Sequence, residues 1–353
     1  MAGYGITTLV IHFPGFFMRL FCVICLLFNL MLPAQAAVML IYHHVADDTP
    51  RVSSVSADEL RQHLQYLKDN HFQVIGLDVL IDQLQTGKAI ADNAVVLTFD
   101  DSFANNYTTA HPILMEFGYP YTIFISPGSI DNRVGPVLSW EQVRKMAADG
   151  VLVANHAMNH EHMTKREPGE TAAQWRVRIQ QNILDAERRI KEETGQNHQW
   201  LAYPYGEFNN ELEALVAELG FIGIGQQSGA IGPATRLTRI PRYPAAGQYA
   251  DLANLAQKLR TLAFNITDYL AADQQITANP PTLRLKLEVA DFLPSQLRCY
   301  AGTETLEPKW LDEQTFEVTA SKPVNRGRSR YNCTAPSLSK RGYFYWYSQQ
   351  WLN

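Results

Sequence analysis

The sequence predicts an α/β fold, a parallel sheet or barrel wrapped by helices, followed by a small β-sandwich. Three observations carry that prediction. From Ala37 to about residue 270, short apolar strands alternate with amphipathic helices, which gives parallel sheets because each return to the next strand runs through a helix. Beyond that point the period drops to two: Leu283, Leu285, Leu287 and Val289 alternate with Arg284, Lys286 and Glu288, as in a strand with one buried face. Between the two regimes stands Asn279-Pro280-Pro281, a linker signal. The expected organisation is a targeting segment over 1–36, an α/β unit over 37–270, a linker over 271–281 and a β-module over 282–353.

The elements follow in order. A strand over 38–42 precedes a helix capped by Ser56, with Leu60, Leu64 and Leu67 at helical spacing. A strand over 95–99, a helix ending before Gly118 and a strand over 121–126 come next, then a helix from Ser139 to Gly150, where glycine can take the left-handed turn that ends a helix. A strand over 151–155 leads to a long helix whose inner face is Trp175, Ile179, Ile183, Ala186 and Ile190 and which stops at Gly195. Strands over 200–203 and 221–225 flank a helix over 212–219. In the module, strands are expected over 296–301, 315–319, 328–334 and 342–351. The aromatic run from Tyr343 to Tyr347 suits core and edge packing or a sugar platform.

The chain has 353 residues, 46% of them hydrophobic and 18% charged, an ordinary globular composition. A net charge of −5 gives no sign of nucleic-acid binding, and polyanions are not expected partners. Arg19, an apolar run over 20–32 and the Ala34-Gln35-Ala36 cleavage pattern read as a signal peptide, with Met18 as an alternative start. That run is too short for a comfortable membrane span. The expected location is therefore the periplasm or outside the cell. Cleavage after Ala36 removes Cys22 and Cys25 and leaves Cys299 and Cys333, which in an oxidising compartment are expected to form a disulfide.

Chemistry enters at strand ends. The strand over 95–99 closes on Asp100-Asp101, and the strand over 151–155 leads to His156 and, after Ala157-Met158-Asn159, His160. A zinc-like cation takes neutral imidazoles and a carboxylate and leaves open positions for water and substrate, so Asp101, His156 and His160 are candidate ligands. A second carboxylate that stays off the metal, Asp100, is then the candidate base. Neighbouring strand residues point to opposite faces, so both aspartates can serve one site only if the backbone turns there. The pattern points to a metal-dependent hydrolase.

These residues resemble the polysaccharide deacetylases with a NodB homology domain, carbohydrate esterase family four, over roughly 37–270. Thr98-Phe99-Asp100-Asp101 is similar to the family's first motif, and Asn155-His156-Ala157-Met158-Asn159-His160 to its second, usually Ser-His-Thr-x-x-His. Ala202-Tyr203-Pro204-Tyr205-Gly206 resembles the third, usually Arg-x-Pro-Tyr-Gly, without its arginine. The resemblance implies a deformed (β/α) barrel, Asp100 as base, and Asp101, His156 and His160 around a divalent metal, zinc first, with cobalt, nickel or iron as alternatives. It also implies that the Tyr205 N–H serves the oxyanion. The chain has no histidine after His198 for the usual C-terminal acid. Tyr42-His43-His44-Val45 is similar to a motif of the exported poly-β-1,6-N-acetylglucosamine deacetylases, which implies His43, with His44 second, as general acid. Arg239 or Arg242 is the expected substitute for the lost arginine. Trp140, Tyr203 and Arg242 are expected to contact substrate.

The expected activity is hydrolysis of N-acetyl groups on N-acetylglucosamine units of an acetylated polysaccharide, poly-β-1,6-N-acetylglucosamine first, with peptidoglycan, chitin oligomers or xylan as alternatives. A different class is a non-catalytic carbohydrate-binding protein on a degenerate esterase scaffold, favoured by the missing arginine and the altered second motif.

Overall fold

The computed structural model describes residues 1, 3, 36–270 and 273–353; the signal-peptide expectation lies outside them. Seven parallel strands form the main sheet in the order Tyr243–Pro244, Ala37–Tyr42, Ala94–Phe99, Thr122–Ile125, Leu152–Asn155, Trp200–Ala202 and Ile222–Ile224, with Gln73–Val74 also paired to Ala94–Phe99. Both faces of the central strands are covered, which is why Ala37–Tyr42 and Ala94–Phe99 are buried at every position. Val38, Leu40, Val95 and Leu97 pack outward on helix residues Leu60, Leu64 and Leu67. Met39, Val96, Phe124, Ala154, Ala202 and Ile224, from six successive strands, meet inside with Leu77, Leu80 and Ile81 of the helix Leu77–Thr86.

The segment between the last strand and Tyr243 curls the sheet towards closure. Ile240 forms a parallel bridge with Ile224, and Ile231 exchanges both backbone hydrogen bonds with Ala37 at 2.8 Å. The result is a deformed (β/α) barrel whose strand C-termini share one rim. Cap chemistry sets the helix starts: Ser56, Ser139 and Thr171 each form a capping box, opening Ala57–Asp69, Trp140–Ala148 and Ala172–Thr194. The last of these ends at Gly195 (φ 75°), as the glycine predicts. No helix among the described residues is long and apolar enough to cross a membrane.

The C-terminal β-module is a sandwich of two sheets. One runs Thr261–Leu262, Phe344–Leu352, Arg328–Pro336, Arg298–Ala301, Glu304–Leu306, and the other Ile266–Asp268, Thr282–Leu287, Thr315–Thr319, Lys309–Trp310. Leu283, Leu285 and Leu287 face its core while the alternating partners stay exposed. Two strands begin earlier than the sequence reading placed them: 261–262 and 266–268 pair into these sheets although they precede the linker expected over 271–281. That stretch does not hang free either, because Gln274 O accepts from Leu352 N (2.7 Å) and Ile276 N donates to Leu352 O (3.0 Å). The α/β part and the module belong to one compact unit, Ala34–Asn353.

Cys299 and Cys333 are register partners on adjacent strands and form the expected disulfide, across a sequence separation of 34. Closing a loop of that length restricts the unfolded chain by about 3–4 kcal/mol. The double variant Cys299→Ala, Cys333→Ala is expected to lose a comparable amount of stability in urea denaturation; an unchanged midpoint would show that the bridge contributes nothing to folding.

Candidate active site

The inward parity of the strand Ala94–Phe99 runs on through Val96 and Thr98 to Asp100, so Asp100 sits at the mouth of the barrel interior and is fully buried. The backbone then turns over: Asp101 and Ser102 have φ of 75° and 60°. This left-handed turn lets Asp101 join the same site. Ala157, His160 and Tyr205 share the feature, with φ of 59°, 51° and 59°, so of the eight non-glycine residues with positive φ among those described, four lie in the three motifs and a fifth, Ser102, directly follows the first. Each such conformation costs about 1–3 kcal/mol and persists only where surrounding bonds over-determine it.

Those bonds are present. Asn155, which stands where the family usually has serine, is buried; its Nδ2 donates to Ile183 O (2.9 Å) and Glu187 (3.0 Å), and its Oδ1 accepts from Ala157 N (2.8 Å). Met158 N donates to Asn182 Oδ1 (2.7 Å) and Met158 O accepts from Gly128 N (2.9 Å). Ser126 ties the two motifs together, its N accepted by Ser102 Oγ (3.0 Å) and its Oγ donating to His156 O (2.9 Å).

Asp101, His156 and His160 offer ligand atoms within 4.8 Å of one another. Asp101 Oδ1 lies 3.1 Å from His156 Nε2 and 3.0 Å from His160 Nε2. Two ligands each about 2.1 Å from one ion stand roughly 3–3.5 Å apart, so this spacing fits a shared cation. His156 adds a chemical argument. Its Nδ1 is 2.8 Å from Ala202 O, a pure acceptor, so Nδ1 carries the proton and neutral His156 turns the Nε2 lone pair towards the Asp101 carboxylate. Two acceptors in contact need a proton or a cation between them. Without a cation that proton is the imidazole's own: burial opposes ionisation of Asp101, but the hydrogen bonds then donated by His156 and His160 outweigh it and hold its pKa well below the ordinary carboxylate range, while the two aspartates raise that of His156.

Asp100 is treated differently. Both its oxygens accept from Arg242, at 2.7 and 2.8 Å, in a bidentate pair with neither side chain exposed. Arg242 also donates through Nε to Gly225 O (2.8 Å) and through Nη1 to Thr98 Oγ1 (3.2 Å), and lies over the Phe124 ring (5.4 Å). Burial pushes the Asp100 pKa up; the charges of Arg242 and then His156 outweigh it and leave it lowered. The nearest imidazole nitrogen to Asp100, His156 Nε2, is 3.9 Å from it.

His43, half-buried, is coupled to the same charges: desolvation lowers its pKa, Asp101 and Asp100 oppose, Arg242 and His156 assist. His44 has a packing role, stacked on Phe103 (centroids 3.5 Å) and hydrogen-bonded to Asn105 (3.1 Å). At the third motif, Gly206 N and Glu207 N bond back to Tyr203 O (2.8 Å) and Pro204 O (3.1 Å), closing the turn that carries Tyr205. The Tyr205 ring meets His160 edge-on (4.5 Å) and stacks on His162 (4.1 Å), whose Nδ1 is 2.7 Å from Glu207. Sequence reasoning missed this His162–Glu207 brace; the signal was its position, His162 two residues beyond His160 and Glu207 directly after Gly206.

Two expected substrate contacts are corrected. Arg242 is fully buried and serves Asp100, because barrel closure places it inside the rim. Tyr203 is fully buried among Phe208, Leu212 and Leu201, and its hydroxyl donates to Thr238 O (2.8 Å). Trp140 is half-buried; its Nε1 donates to Asp131 (2.7 Å) and Arg189 covers its ring (4.6 Å). Arg239, the other proposed substitute for the motif arginine, pairs with Glu213.

Residues 87–224 match the family model described as polysaccharide deacetylase, a span that holds both aspartates, both histidines and Tyr205 but not His43, Arg242 or the β-module. Over 266 residues the chain is 26% identical to a poly-beta-1,6-N-acetyl-D-glucosamine N-deacetylase of Escherichia coli K12, covering 65% of this chain and 39% of that protein. It is 25% identical over 198 residues to the enzyme of that name from Staphylococcus epidermidis, covering 54% of this chain and 67% of that one. The chain thus spans well under half the length of the Escherichia coli relative. Among solved structures, the deacetylase PplD of Streptococcus pyogenes in complex with acetate superposes with a TM-score of 0.57 at 23% identity, covering 64% of this chain and 98% of that one. IcaB from Ammonifex degensii gives 0.56 at 21% identity, over 64% and 97%. At these identities the superpositions establish the shared fold.

The geometry predicts that the purified protein takes up about one divalent cation per chain and that His156→Ala or His160→Ala abolishes this stoichiometry in elemental analysis. Arg242→Met is expected to keep the cation but lose about 3–5 kcal/mol of stability, since it strands a buried charge; full stability in that variant would contradict the pairing.

Proposed function

We propose that this chain is a member of the polysaccharide deacetylase family, whose model matches residues 87–224, and that it hydrolyses N-acetyl groups from N-acetylglucosamine units of an extracellular or cell-envelope polysaccharide, poly-β-1,6-N-acetylglucosamine first. One observation carries the reading: of two adjacent carboxylates, one converges with two histidines while the other is kept off them and ionised by Arg242. A ligand set and a separate base are what amide hydrolysis with an activated water requires. The names of the Escherichia coli and Staphylococcus relatives support the choice of glycan.

Asp101, His156 and His160 would hold the cation, with zinc preferred by this donor set and cobalt, nickel or iron as other candidates. When bound, it supplies Lewis acidity to the acetyl carbonyl and lowers the pKa of the attacking water. Asp100 takes the proton from that water, its carboxylate aimed by the two Arg242 contacts. The Tyr205 N–H, held by the turn and braced by His162, faces the oxygen that becomes negative as the carbonyl carbon turns tetrahedral. His43 gives a proton to the departing amine as the C–N bond breaks; its lowered pKa makes the imidazolium a readier donor. Acetate and a glucosamine unit leave.

Export to the periplasm or beyond is part of the proposal, supported by the Ala34-Gln35-Ala36 pattern and by the Cys299–Cys333 bridge. We place the catalytic unit from residue 37 to about 260 and the β-module after it. The carbohydrate-binding alternative loses both its supports, because Arg242 supplies the missing cation and Asn155 anchors the second motif.

The test is acetate release from a panel of acetylated glycans, with and without chelator. Poly-β-1,6-N-acetylglucosamine is expected to be the best substrate and chelator to stop turnover. Asp100→Asn should lower kcat about 10²–10⁴-fold with the cation retained; near-normal release by this variant would overturn the assignment of the base.

A further inference from the structure

The net charge of −5 hides a strong local asymmetry. Residues 318–353 contain six Lys or Arg and no Asp or Glu. Two of the six lie on the strand that meets the third motif. In the strand Arg328–Pro336, Tyr331 and Cys333 face the sandwich core, so Arg328 and Arg330 share the opposite face, which looks towards the barrel rim. Arg328 Nη1 donates to Tyr205 O, in the third motif. Arg330 is the register partner of Gln350, whose Nε2 donates to Gly206 O (2.9 Å) in the same turn. The β-module therefore brings Arg330 to within one side chain of the turn that carries Tyr205.

Arg328 is spent on the turn, but Arg330 has no hydrogen bond, ion pair or ring contact among the described residues. It is half-buried, and desolvation, then the neighbouring Arg328 charge, disfavour its protonated form, with Tyr249 opposing weakly. A half-desolvated guanidinium beside a like charge is costly to the fold unless something else takes its donors. A cleft of about 480 Å³ opens at the same place, lined by Arg328, Ser329, Arg330, Lys322 and the 301–304 hairpin. Its one carboxylate, Glu304, is already engaged by Ser321 N (2.8 Å). The cleft is thus lined mainly by cations and neutral polar groups, and it borders Arg328, the residue bonded to the Tyr205 turn.

We propose that Arg330 and the cleft beside it form a glycan subsite that takes an anionic group, the carboxylate or phosphate of a sugar unit next to the one being deacetylated. Arg330 supplies a planar fork of donors matched to paired anionic oxygens, and Arg328, held on Tyr205 O, fixes the subsite beside the catalytic turn. The same charge disfavours a glucosamine already bared at that position, since its amine is cationic. The identity of the reacting unit rests on the proposed deacetylase activity; the existence of the anion subsite does not.

The experiment therefore separates binding from turnover, using Arg330→Gln and the charge-preserving Arg330→Lys. Calorimetric titrations of the full protein with inorganic phosphate and with hyaluronan oligosaccharides, which alternate a carboxylate sugar with N-acetylglucosamine, are expected to show binding that Arg330→Gln weakens about tenfold or more and Arg330→Lys weakens less. Binding to phosphate alone places the anion on phosphate-bearing glycans; binding to hyaluronan places it on uronic-type carboxylates. In acetate release, Arg330→Gln is expected to raise KM for an anionic glycan while leaving kcat, and both constants on neutral poly-β-1,6-N-acetylglucosamine, within about twofold. Failure of both probes to bind, or equal affinity of wild type and Arg330→Gln for a probe that does bind, overturns the proposal, as does an equal loss on neutral and anionic glycans. Binding that obeys the prediction without acetate release would sink the deacetylase reading and leave the subsite standing.

Discussion

The buried pair between Asp100 and Arg242 is the constraint on which the site depends. Two carboxylates on consecutive residues at a strand end repel each other, and left alone both would be drawn to the same cation or one would protonate. The fold divides them. A guanidinium inside the barrel takes both oxygens of Asp100, and the left-handed turn at Asp101 sends the second carboxylate to His156 and His160. Each carboxylate is thereby committed to one task, and the pair stays ionised although it is buried. Such a pair is a poor device for stability, since desolvation takes back much of the Coulomb gain, so its presence here is best read as serving function.

Arg242 reaches that place through topology. It lies in the segment that closes the barrel, between the Ile240 bridge to Ile224 and the short strand Tyr243–Pro244 beside Ala37–Tyr42. Closure and electrostatics are one event: the segment completing the barrel carries the charge that neutralises its mouth. The β-module adds a second layer, with Gln350 and Arg328 bonded to the backbone of the third motif. The turn carrying Tyr205 is held from within by Tyr203, from the side by His162 and Glu207, and from outside by the module.

What could be read from the sequence was what is local. Strand and helix periods, Ser56, Ser139 and Thr171 as caps, Gly195 as a stop, and the spacing of His156 and His160 depend on near neighbours, and the folded chain shows the elements where those signals put them. The alternation at Leu283, Leu285 and Leu287 gave one face of the sandwich for the same reason. What depended on long-range closure was not legible. Arg239 and Arg242 are alike in sequence, yet one meets Glu213 and the other Asp100, because only the latter lies past the point where the segment enters the barrel. Tyr203 sits beside Tyr205 in a motif but faces the opposite way, into the core. Short strands such as 261–262 and 266–268 carry no period of their own and exist because neighbouring sheets accept them.

The division of labour between the two aspartates is most directly tested by anomalous diffraction from crystals of the metal-loaded protein, collected on either side of the absorption edge of the bound ion. The account requires a single anomalous peak within bonding distance of Asp101, His156 and His160, with Asp100 still clasped by Arg242 and outside the coordination sphere. An ion ligated by Asp100, or a peak away from the two histidines, would contradict it.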